Sequence, residues 1–362
     1  MQQQLKPSRT LLVLFGLLFS SAGCNTLGFA QTEQRIQAAL QAAMPEKPYL
    51  VAVGVWVDQI THIDQKSENF GIVGNLRLEW DDPELAFDAK QASQNLRVYT
   101  RDAFTRFVDQ NGLFAPGFVI HNQQGRRFSQ EINIVVFENG HAVYLERFSA
   151  TLQAPDFDFV QYPFDAQEFF VHVDALYPTG FMKFVPIDGF RVLGDQLGEE
   201  EWIFEKSLTK ISEVSGITGK PTTRFSLGIA ANRHRNYYVL RIFVPLTIIL
   251  LVTWAIFFLQ DFSKRVDLAG ANLLIFVAFN FTVSNDLPRL GYMTFMDAIL
   301  VVCFVFTGMV VVVNVVFRRM EIIGRESLAR RIDNYTIWIY PVTLAGLVVM
   351  CWYWFVRENI HL

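Results

Sequence analysis

The chain has 362 residues and a formal net charge of −4, which argues against nucleic acid as a main partner. Hydrophobic residues make up 51% of it, and the mean hydropathy of +0.24 is that of a membrane protein rather than a soluble enzyme. The sequence has no glycine-rich phosphate loop, nucleophile elbow or zinc signature, so we predict neither an enzyme nor a cofactor. Polar and apolar residues alternate up to about residue 236, and apolar blocks follow, which predicts two domains in different solvents.

Residues 1–30 have the pattern of a secretory signal peptide, since basic residues precede a short apolar stretch and small residues near Gly28 offer a cleavage point. A lipoprotein site at Cys24 is the alternative. Either route exports the next segment, which opens with a predicted amphipathic helix at 34–44. The two other cysteines lie in apolar segments, so the exported domain has no disulfide and depends on its own core.

Residues 31–236 are predicted to form an all-β domain, an immunoglobulin-like antiparallel sandwich of about ten strands. Short runs rich in β-branched and aromatic residues alternate with Gly, Pro, Asn and Asp. The clearest runs are 51–57, 76–80, 117–121, 132–137, 142–151, 168–174, 202–211 and 223–231. Glu138-Asn139-Gly140 predicts a hairpin between two of them.

Residues 237–362 are predicted to form a bundle of four membrane helices, at 237–260, 266–285, 292–317 and 335–355. Each is close to the roughly 20 residues that span the hydrocarbon core of a bilayer. Basic residues fall between the first two helices and in a short linker at 318–334, so both connections are predicted to be cytoplasmic. The exported domain and the C-terminus then lie on the opposite side of the membrane.

The second membrane helix carries a polar stripe on one face. Residues three or four apart share a face because an α-helix has 3.6 residues per turn. This face is polar and acidic at its first end, apolar in the middle and polar at its far end. An acidic side chain in a membrane helix normally faces water or a partner rather than lipid. We therefore predict a pore lining made of Ser263, Asp267, Ala271, Leu274, Ala278, Phe281 and Asn285.

Several motifs, in the right order, resemble those of the Cys-loop receptor superfamily of pentameric ligand-gated ion channels. Tyr162-Pro163-Phe164-Asp165-Ala166-Gln167 resembles the Phe-Pro-Phe-Asp-x-Gln signature of that superfamily. Trp80, Asp82, Leu85 and Phe87 match its Trp-x-Asp-x-x-Leu-x-Trp pattern, with Phe replacing the last Trp. Further matches are Phe114-Ala115-Pro116, Tyr237-Tyr238 with Pro245, and Leu287-Pro288.

The resemblance is to the prokaryotic branch, because Pro155 and Phe169 occupy the positions of the loop cysteines and the last cytoplasmic linker is short. The run from Ser284 to Leu290 most resembles the amine-gated bacterial members. The resemblance implies a homopentamer, in which every residue of the stripe becomes a ring around the axis.

Asp267 is our predicted selectivity residue, because a ring of carboxylates attracts permeant cations and repels anions. The alternative is that Asp267 pairs with Lys264 or Arg265 at the end of the helix. Leu274 and Phe281 are the predicted gate, since a hydrophobic constriction can close a pore by expelling water. Packing of these two side chains against neighbouring helices is the alternative.

Coupling between the two domains is predicted to involve Asp165, Arg233, Pro288 and Tyr292. A carboxylate and a guanidinium at a domain junction can form a desolvated, bidentate pair. We expect this pair and the loop 288–292 to transmit motion from the sandwich to the pore. An ordinary ion pair that only stabilises the fold is the alternative for Asp165 and Arg233.

The resemblance places the ligand at interfaces between subunits, where aromatic rings and carboxylates can hold a cation. The loop 212–223, which would cap such a site, contains no aromatic residue, so protons, divalent ions and carboxylates stay open as agonists beside amines. The histidines lack metal-ligand spacing, so no metal centre is predicted. Glu199 to Glu201 could bind Ca²⁺ weakly as a modulating site, or form a solvated turn. The ligand candidates are Phe114, His121, Asp174 and Tyr177 on one face and Asn75 and Arg77 on the opposing one.

Together these features predict a cation-selective, ligand-gated channel of the bacterial inner membrane, with a periplasmic sandwich and with membrane lipid as its surroundings. The alternative class is a membrane-anchored periplasmic binding or sensor protein whose helices do not conduct. An anchor needs no polar stripe in its second helix, which favours the channel.

Overall fold

The computed structural model describes residues 45–92, 94–195, 197–198, 201–217, 219–286 and 290–357. The predicted signal peptide, the predicted helix at 34–44, Glu199 and Glu200, and Pro288 lie outside these ranges. The side chain of Asn285 is also outside the described part.

The described residues of the N-terminal domain form a sandwich of ten strands in two sheets, which confirms the predicted architecture. The six-stranded sheet has the order β3-β5-β6-β2-β1-β8, and the four-stranded sheet has the order β4-β7-β10-β9. The first five strands are β1 Tyr49–Asp64, β2 Asn69–Asp81, β3 Leu96–Thr100, β4 Phe118–Ile120 and β5 Gln123–Phe137. The other five are β6 His141–Gln153, β7 Ala166–Ala175, β8 Met182–Pro186, β9 Trp202–Ser215 and β10 Pro221–Arg233.

The core lies between the two sheets because alternate residues of each strand point inward. Val51, Val53 and Val55 of β1 face Phe169 and Val171 of β7 across one continuous apolar cluster, and all are fully buried. The described cysteines are Cys303 and Cys351, both free and both in membrane helices. Burial of apolar side chains at about 25 cal/mol per Å² is therefore what stabilises the sandwich.

The predicted hairpin lies between β5 and β6. Gly140 has a φ of +87°, and a Cβ at this position would lie 2.4 Å from the carbonyl oxygen of Asp82. Only glycine fits such a turn without strain, which is why this short motif was a reliable signal.

Some elements among the described residues of the sandwich were not predicted. Strands β3 and β8 have only five residues each, and β8 pairs with β1 in parallel, an exception to the predicted antiparallel order. Helix α1, Arg101–Asn111, was missed because most of its residues are polar. Its ends carry the usual signals, since Thr100 caps the first turn and Gly112 closes the last in the left-handed conformation.

The described part of the chain continues into four helices long and apolar enough to cross a membrane, as predicted. They are α2 Arg235–Phe258, α3 Phe262–Asp286, α4 Phe295–Ile322 and α5 Glu326–Trp352. The predicted linker at 318–334 is mostly helical, which corrects its extent, because α4 and α5 both continue into it and leave only 323–325 between them. Charged residues ended the apolar pattern there, but a helix can carry charges beyond the hydrocarbon.

The loop between β6 and β7 packs on the upper ends of the helices. Phe159 and Tyr162 of this loop are buried in one apolar cluster with Tyr238 of α2, Val283 of α3 and Met296 of α4. The backbone N–H of Phe295 also donates to the carbonyl of Val160, at 2.9 Å. The sandwich and the bundle therefore meet through a packed apolar contact.

Candidate functional site

Helix α3 turns one face away from the rest of its own subunit. Leu274 and Phe281 of the predicted stripe have 70% and 69% of their surface exposed. The other described members of the stripe are exposed or half-buried: Ser263, Asp267, Ala271 and Ala278. Packing against helices of the same subunit therefore does not account for Leu274 and Phe281.

The opposite face of α3 attaches the helix to its subunit. The amide of Asn272 is buried and donates to the Thr253 hydroxyl at 2.6 Å and to the Ile249 carbonyl at 3.2 Å, both in α2. The remaining buried residues of this face are Phe262, Arg265, Ala269, Phe276 and Val283. These contacts orient α3 so that the stripe points outward.

Asp267 is exposed, and none of the ion pairs among the described residues includes it. Arg265, which was one alternative partner, instead donates to Asp333 in α5 at 2.6 Å and 2.9 Å. Lys264 shares with Asp261 only a bond from its backbone N–H, at 3.4 Å. The geometry therefore leaves the Asp267 carboxylate free on the outward face.

Arg233 and Asp165 meet at the junction of the two domains, where they are 2% and 4% exposed. Arg233 Nε donates to Asp165 Oδ1 at 2.7 Å. The predicted bidentate geometry is not found, because Arg233 Nη1 turns to Glu201 at 3.1 Å and to the Tyr238 hydroxyl at 3.2 Å. The Tyr238 hydroxyl also donates to Glu201. One guanidinium thus connects the loop before β7, the start of β9 and the start of α2.

Aromatic rings and one amide complete this junction cluster. The guanidinium lies 4.1 Å from the ring centroid of Trp202 and 4.9 Å from that of Tyr162, within the range of cation–π attraction. Gln167 donates to the second oxygen of Asp165 at 2.5 Å. Burial disfavours the charged form of Arg233, but Asp165 more than offsets this, so the pKa of Arg233 is raised.

Sequence reasoning missed Glu201 and Tyr238 as partners of Arg233. Glu201 was considered as part of a weak Ca²⁺ site or a solvated turn, and Tyr238 as part of a family motif. Neither pattern indicates that their side chains meet at Arg233, because contact between distant segments is not a property of spacing.

Tyr292 lies at the same junction, after α3. Its hydroxyl accepts a hydrogen bond from the backbone N–H of Phe159 at 3.1 Å. The loop between α3 and α4 therefore contacts the loop between β6 and β7 directly. A role for Tyr292 in coupling stays a prediction, and the hydrogen bond to Phe159 is the contact through which it would act.

The predicted ligand residues fall into separate groups. Phe114 is only 7% exposed and stacks on Tyr49 with ring centroids 3.9 Å apart. Its centroid is 6.3 Å from that of Tyr177, which packs on Phe181 at 4.8 Å. Within one subunit, Phe114 is a core residue, so its ring faces are not available to a ligand.

Asp174 and His121 form a second group at the ends of β7 and β4. Arg224 donates to both oxygens of Asp174, at 2.6 Å and 2.8 Å, and His121 lies 3.1 Å from one of them. The Asp174 charge is therefore already compensated. Asn75 and Arg77 lie on β2 and bond Asp58 at 2.9 Å and Glu79 at 2.5 Å. No hydrogen bond or ion pair among the described residues joins them to Asp174.

His172 lies beside this second group and makes the stability of the folded state depend on pH. Burial, and then Arg224, hold its pKa below the ordinary value of 6.5, so the folded state binds this proton less readily than the unfolded state. Stability from His172 is present above about pH 6.5 and is lost as the pH falls below it.

We expect the purified protein in detergent to lose thermal stability between pH 7.5 and pH 5.5, and His172→Gln to reduce that loss. His141→Gln is a matched control, because the His141 ring is partly exposed and lies 2.8 Å from Asp81. Equal pH dependence in the parent and His172→Gln would contradict the assignment.

Comparison with known proteins agrees with this architecture. A family model for the neurotransmitter-gated ion-channel ligand binding domain matches residues 36–175. The chain is 25% identical over 309 residues to a proton-gated ion channel of Gloeobacter violaceus, covering 84% of this chain and 83% of that one. It is 22% identical over 317 residues to pH-sensitive chloride channel 2 of Drosophila melanogaster, covering 81% of this chain and 58% of that one. It is also 22% identical over 275 residues to glycine receptor subunit beta of Rattus norvegicus, covering 72% and 53%.

A β-sandwich with a matched ligand-binding domain, followed by four membrane-competent helices, defines a receptor channel rather than an enzyme. The matched ligand-binding domain and these relatives support membership of the Cys-loop receptor superfamily of pentameric ligand-gated ion channels. The chain spans little more than half the length of the animal receptors it matches.

Proposed function

We propose that this protein is a homopentameric, cation-selective channel of the bacterial inner membrane, opened by a ligand or ion that binds its periplasmic sandwich. The observation that carries the proposal is the outward face of α3, where Asp267 is free and the Leu274 and Phe281 side chains are mostly exposed. Around a symmetry axis such a face lines a pore. The relatives include a chloride channel, so support for cation preference comes from Asp267 of this chain.

Selectivity arises at the cytoplasmic end of the proposed pore. A ring of Asp267 carboxylates concentrates cations near the mouth and keeps anions out, because low-dielectric walls focus its field. The positive-inside rule assigns this end to the cytoplasm, since Lys264 and Arg265 are beside it.

The gate is higher in the pore. Leu274 and Phe281 form apolar rings from which water withdraws when the pore is narrow. Small rotations of α3 away from the pore axis would widen these rings and let water return to them. The contacts of α3 with α2 through Asn272 allow the helix to move with its subunit as one body.

The junction cluster around Arg233 transmits the movement. It joins the sandwich to the start of α2 through Asp165, Glu201 and Tyr238, and Tyr292 joins the loop after α3 to the sandwich. A shift of the sandwich therefore acts on the helices at two points.

Two kinds of agonist are supported by different observations. The bacterial relative is named a proton-gated channel, which favours protons. The motif likeness to amine-gated members favours a small amine, although the loop 212–223 has no aromatic residue for a cation cage. A current-based screen of pH and small amines separates the two, and divalent ions can be added to it as modulators.

The rival function is a periplasmic binding or sensor protein that its helices only anchor. The exposed polar stripe favours conduction, since a free carboxylate facing lipid would destabilise a helix that only anchors the protein. Absence of current under every pH and ligand condition, with protein present at the cell surface, would favour the anchor.

Asp267→Asn tests the proposed selectivity. We expect the parent to prefer cations and the variant to lose much of that preference, because each subunit loses one negative charge at the mouth. Reversal potentials in asymmetric salt measure this directly. Asp261→Asn is a matched control, since Asp261 lies near the same end and is bonded to the backbone N–H of Ser263 at 2.9 Å. Equal cation preference in the parent and Asp267→Asn would show that the ring is not the filter.

A further inference from the structure

A buried ion pair attaches the first turn of α3 to α5. Arg265 Nη1 donates to Asp333 Oδ1 at 2.6 Å, and Arg265 Nη2 donates to Asp333 Oδ2 at 2.9 Å. The two residues are 4% and 6% exposed and lie 68 positions apart in the chain. This parallel, two-bond geometry is the strongest arrangement available to an arginine and a carboxylate.

The rest of the Arg265 side chain is also held. Its Nε donates to the carbonyl of Leu259 at 2.6 Å, and its guanidinium lies 4.9 Å from the centroid of the Phe262 ring. All three guanidinium nitrogens therefore have an acceptor. The cation is held on the buried side of α3, away from the stripe.

Arg265 and Asp267 are nevertheless close in height along the helix. Two residues correspond to a rise of about 3 Å and a rotation of about 200°, so the two side chains leave α3 on opposite faces at nearly the same level. The charge on Arg265 therefore acts at the level of Asp267, because the body of the helix lies between the two side chains and screens charge less than bulk water does.

We infer that Asp333 is a selectivity-determining residue of the channel, although it belongs to α5 and does not line the pore. By neutralising Arg265 it leaves the Asp267 carboxylate as the uncompensated charge at that level. The inference rests on the proposed conduction path along α3.

Removal of the Asp333 charge would change the net charge at the level of Asp267 in every subunit. The charges of Asp267, Arg265 and Asp333 sum to one negative charge per subunit, whereas without Asp333 they sum to zero. In a ring of subunits this cancels the field that attracts cations, even though the pore lining is unchanged. Lys264 and Asp261 add the same charges in all variants and do not affect the comparison.

The test is the ratio of Na⁺ to Cl⁻ permeability, from reversal potentials in NaCl gradients with the full-length channel. We expect Asp333→Asn to lower this ratio by roughly threefold or more. The double variant Arg265→Gln with Asp333→Asn removes both charges and should return to the parent ratio. Glu326→Gln is the matched control, because Glu326 is also in α5 and forms an exposed pair with Arg330 at 2.8 Å.

A parent-like ratio in Asp333→Asn, with the channel at the surface, would overturn the inference. If Asp333→Asn does not assemble, Asp333→Ser supplies the test. Serine removes the same charge and leaves room for water beside Arg265, so the charges of Asp267 and Arg265 again sum to zero and the ratio should fall as in Asp333→Asn; a parent-like ratio in Asp333→Ser would equally overturn the inference.

Failure of the proposed function is distinguishable from failure of this inference. A parent that prefers anions contradicts cation selectivity, yet Asp333→Asn should still shift the reversal potential further toward that of Cl⁻. A cation-selective parent whose variants all share its ratio contradicts only the role of Asp333. A parent without current contradicts both.

Discussion

Arg233→Lys is expected to produce channels that reach the membrane but carry at least roughly tenfold less current under activating conditions. Lysine keeps the positive charge, yet it cannot bond Asp165, Glu201 and Tyr238 at once, as the arginine does. Loss of one charge-assisted hydrogen bond costs about 1.5–3 kcal/mol. If that bond differs in strength between the closed and open states, the gating equilibrium shifts by a comparable amount.

Arg224→Lys is the matched control for this experiment. Arg224 and Arg233 lie at opposite ends of β10, and each pairs with an aspartate of β7 or of the loop before it. Arg224 is far from the helices, whereas Arg233 touches the first of them. Coupling predicts a loss of current in Arg233→Lys alone. Equal effects of the two variants, confined to the amount of protein at the surface, would indicate ordinary ion pairs that stabilise the fold.

Asp165→Asn tests the same two alternatives, coupling or an ion pair that only stabilises the fold, by changing the acidic partner of Arg233. The variant leaves the buried Arg233 with Glu201 as its remaining carboxylate, and breaking a buried pair typically costs about 3–5 kcal/mol. Surface expression and current should be measured together. Normal assembly with normal gating would contradict a coupling role for Asp165.

Leu274→Thr is expected to give channels that leak without agonist. The substitution replaces an apolar ring by a polar one, so water is no longer expelled from the narrow pore. Each methylene withdrawn from water is worth about 0.8 kcal/mol, and in a pentamer this sums to about 4 kcal/mol, or nearly a thousandfold in the closed-to-open equilibrium. Resting current, blocked by a pore blocker and compared with the agonist-evoked maximum, measures the change.

Ile275→Thr provides the control for the gate. Ile275 is the next residue in α3 and is 57% exposed, but it points about 100° away from the stripe. We expect little resting current from it. Comparable leak in the two variants would mean that polarity anywhere on the exposed side of α3 opens the pore, and Leu274 would lose its special role.

Much of the fold was predictable because its signals are local. Alternation along β1 and β7 predicted strands with one buried face, and Gly140 marked the hairpin between β5 and β6. Apolar length predicted the four membrane helices. Helix α1 and the five-residue strands β3 and β8 escaped because short or polar segments carry little periodic signal.

The candidate site was likewise predictable in part: residue spacing indicated the pore lining but not the ligand residues. The outward stripe of α3 was recognisable from residue spacing, and its exposure in the folded subunit supports the proposed pore. The ligand residues were chosen by resemblance, and Phe114 proved to be part of the core while Asp174 was already paired with Arg224. A side chain's type shows what it could bind, but its neighbours decide whether it is free.

Sequence alone therefore predicted an all-β domain followed by four apolar helices, most of the long strands and the two-faced character of α3, because periodicity acts over a few residues. Only the tertiary structure decided which charges meet. Arg233 with Asp165 and Arg265 with Asp333 are both pairs separated by 68 positions, and no local pattern connects them. A buried charge must find a counter-charge wherever the fold supplies one, and here that requirement joins the sandwich to the helices at one end and α3 to α5 at the other.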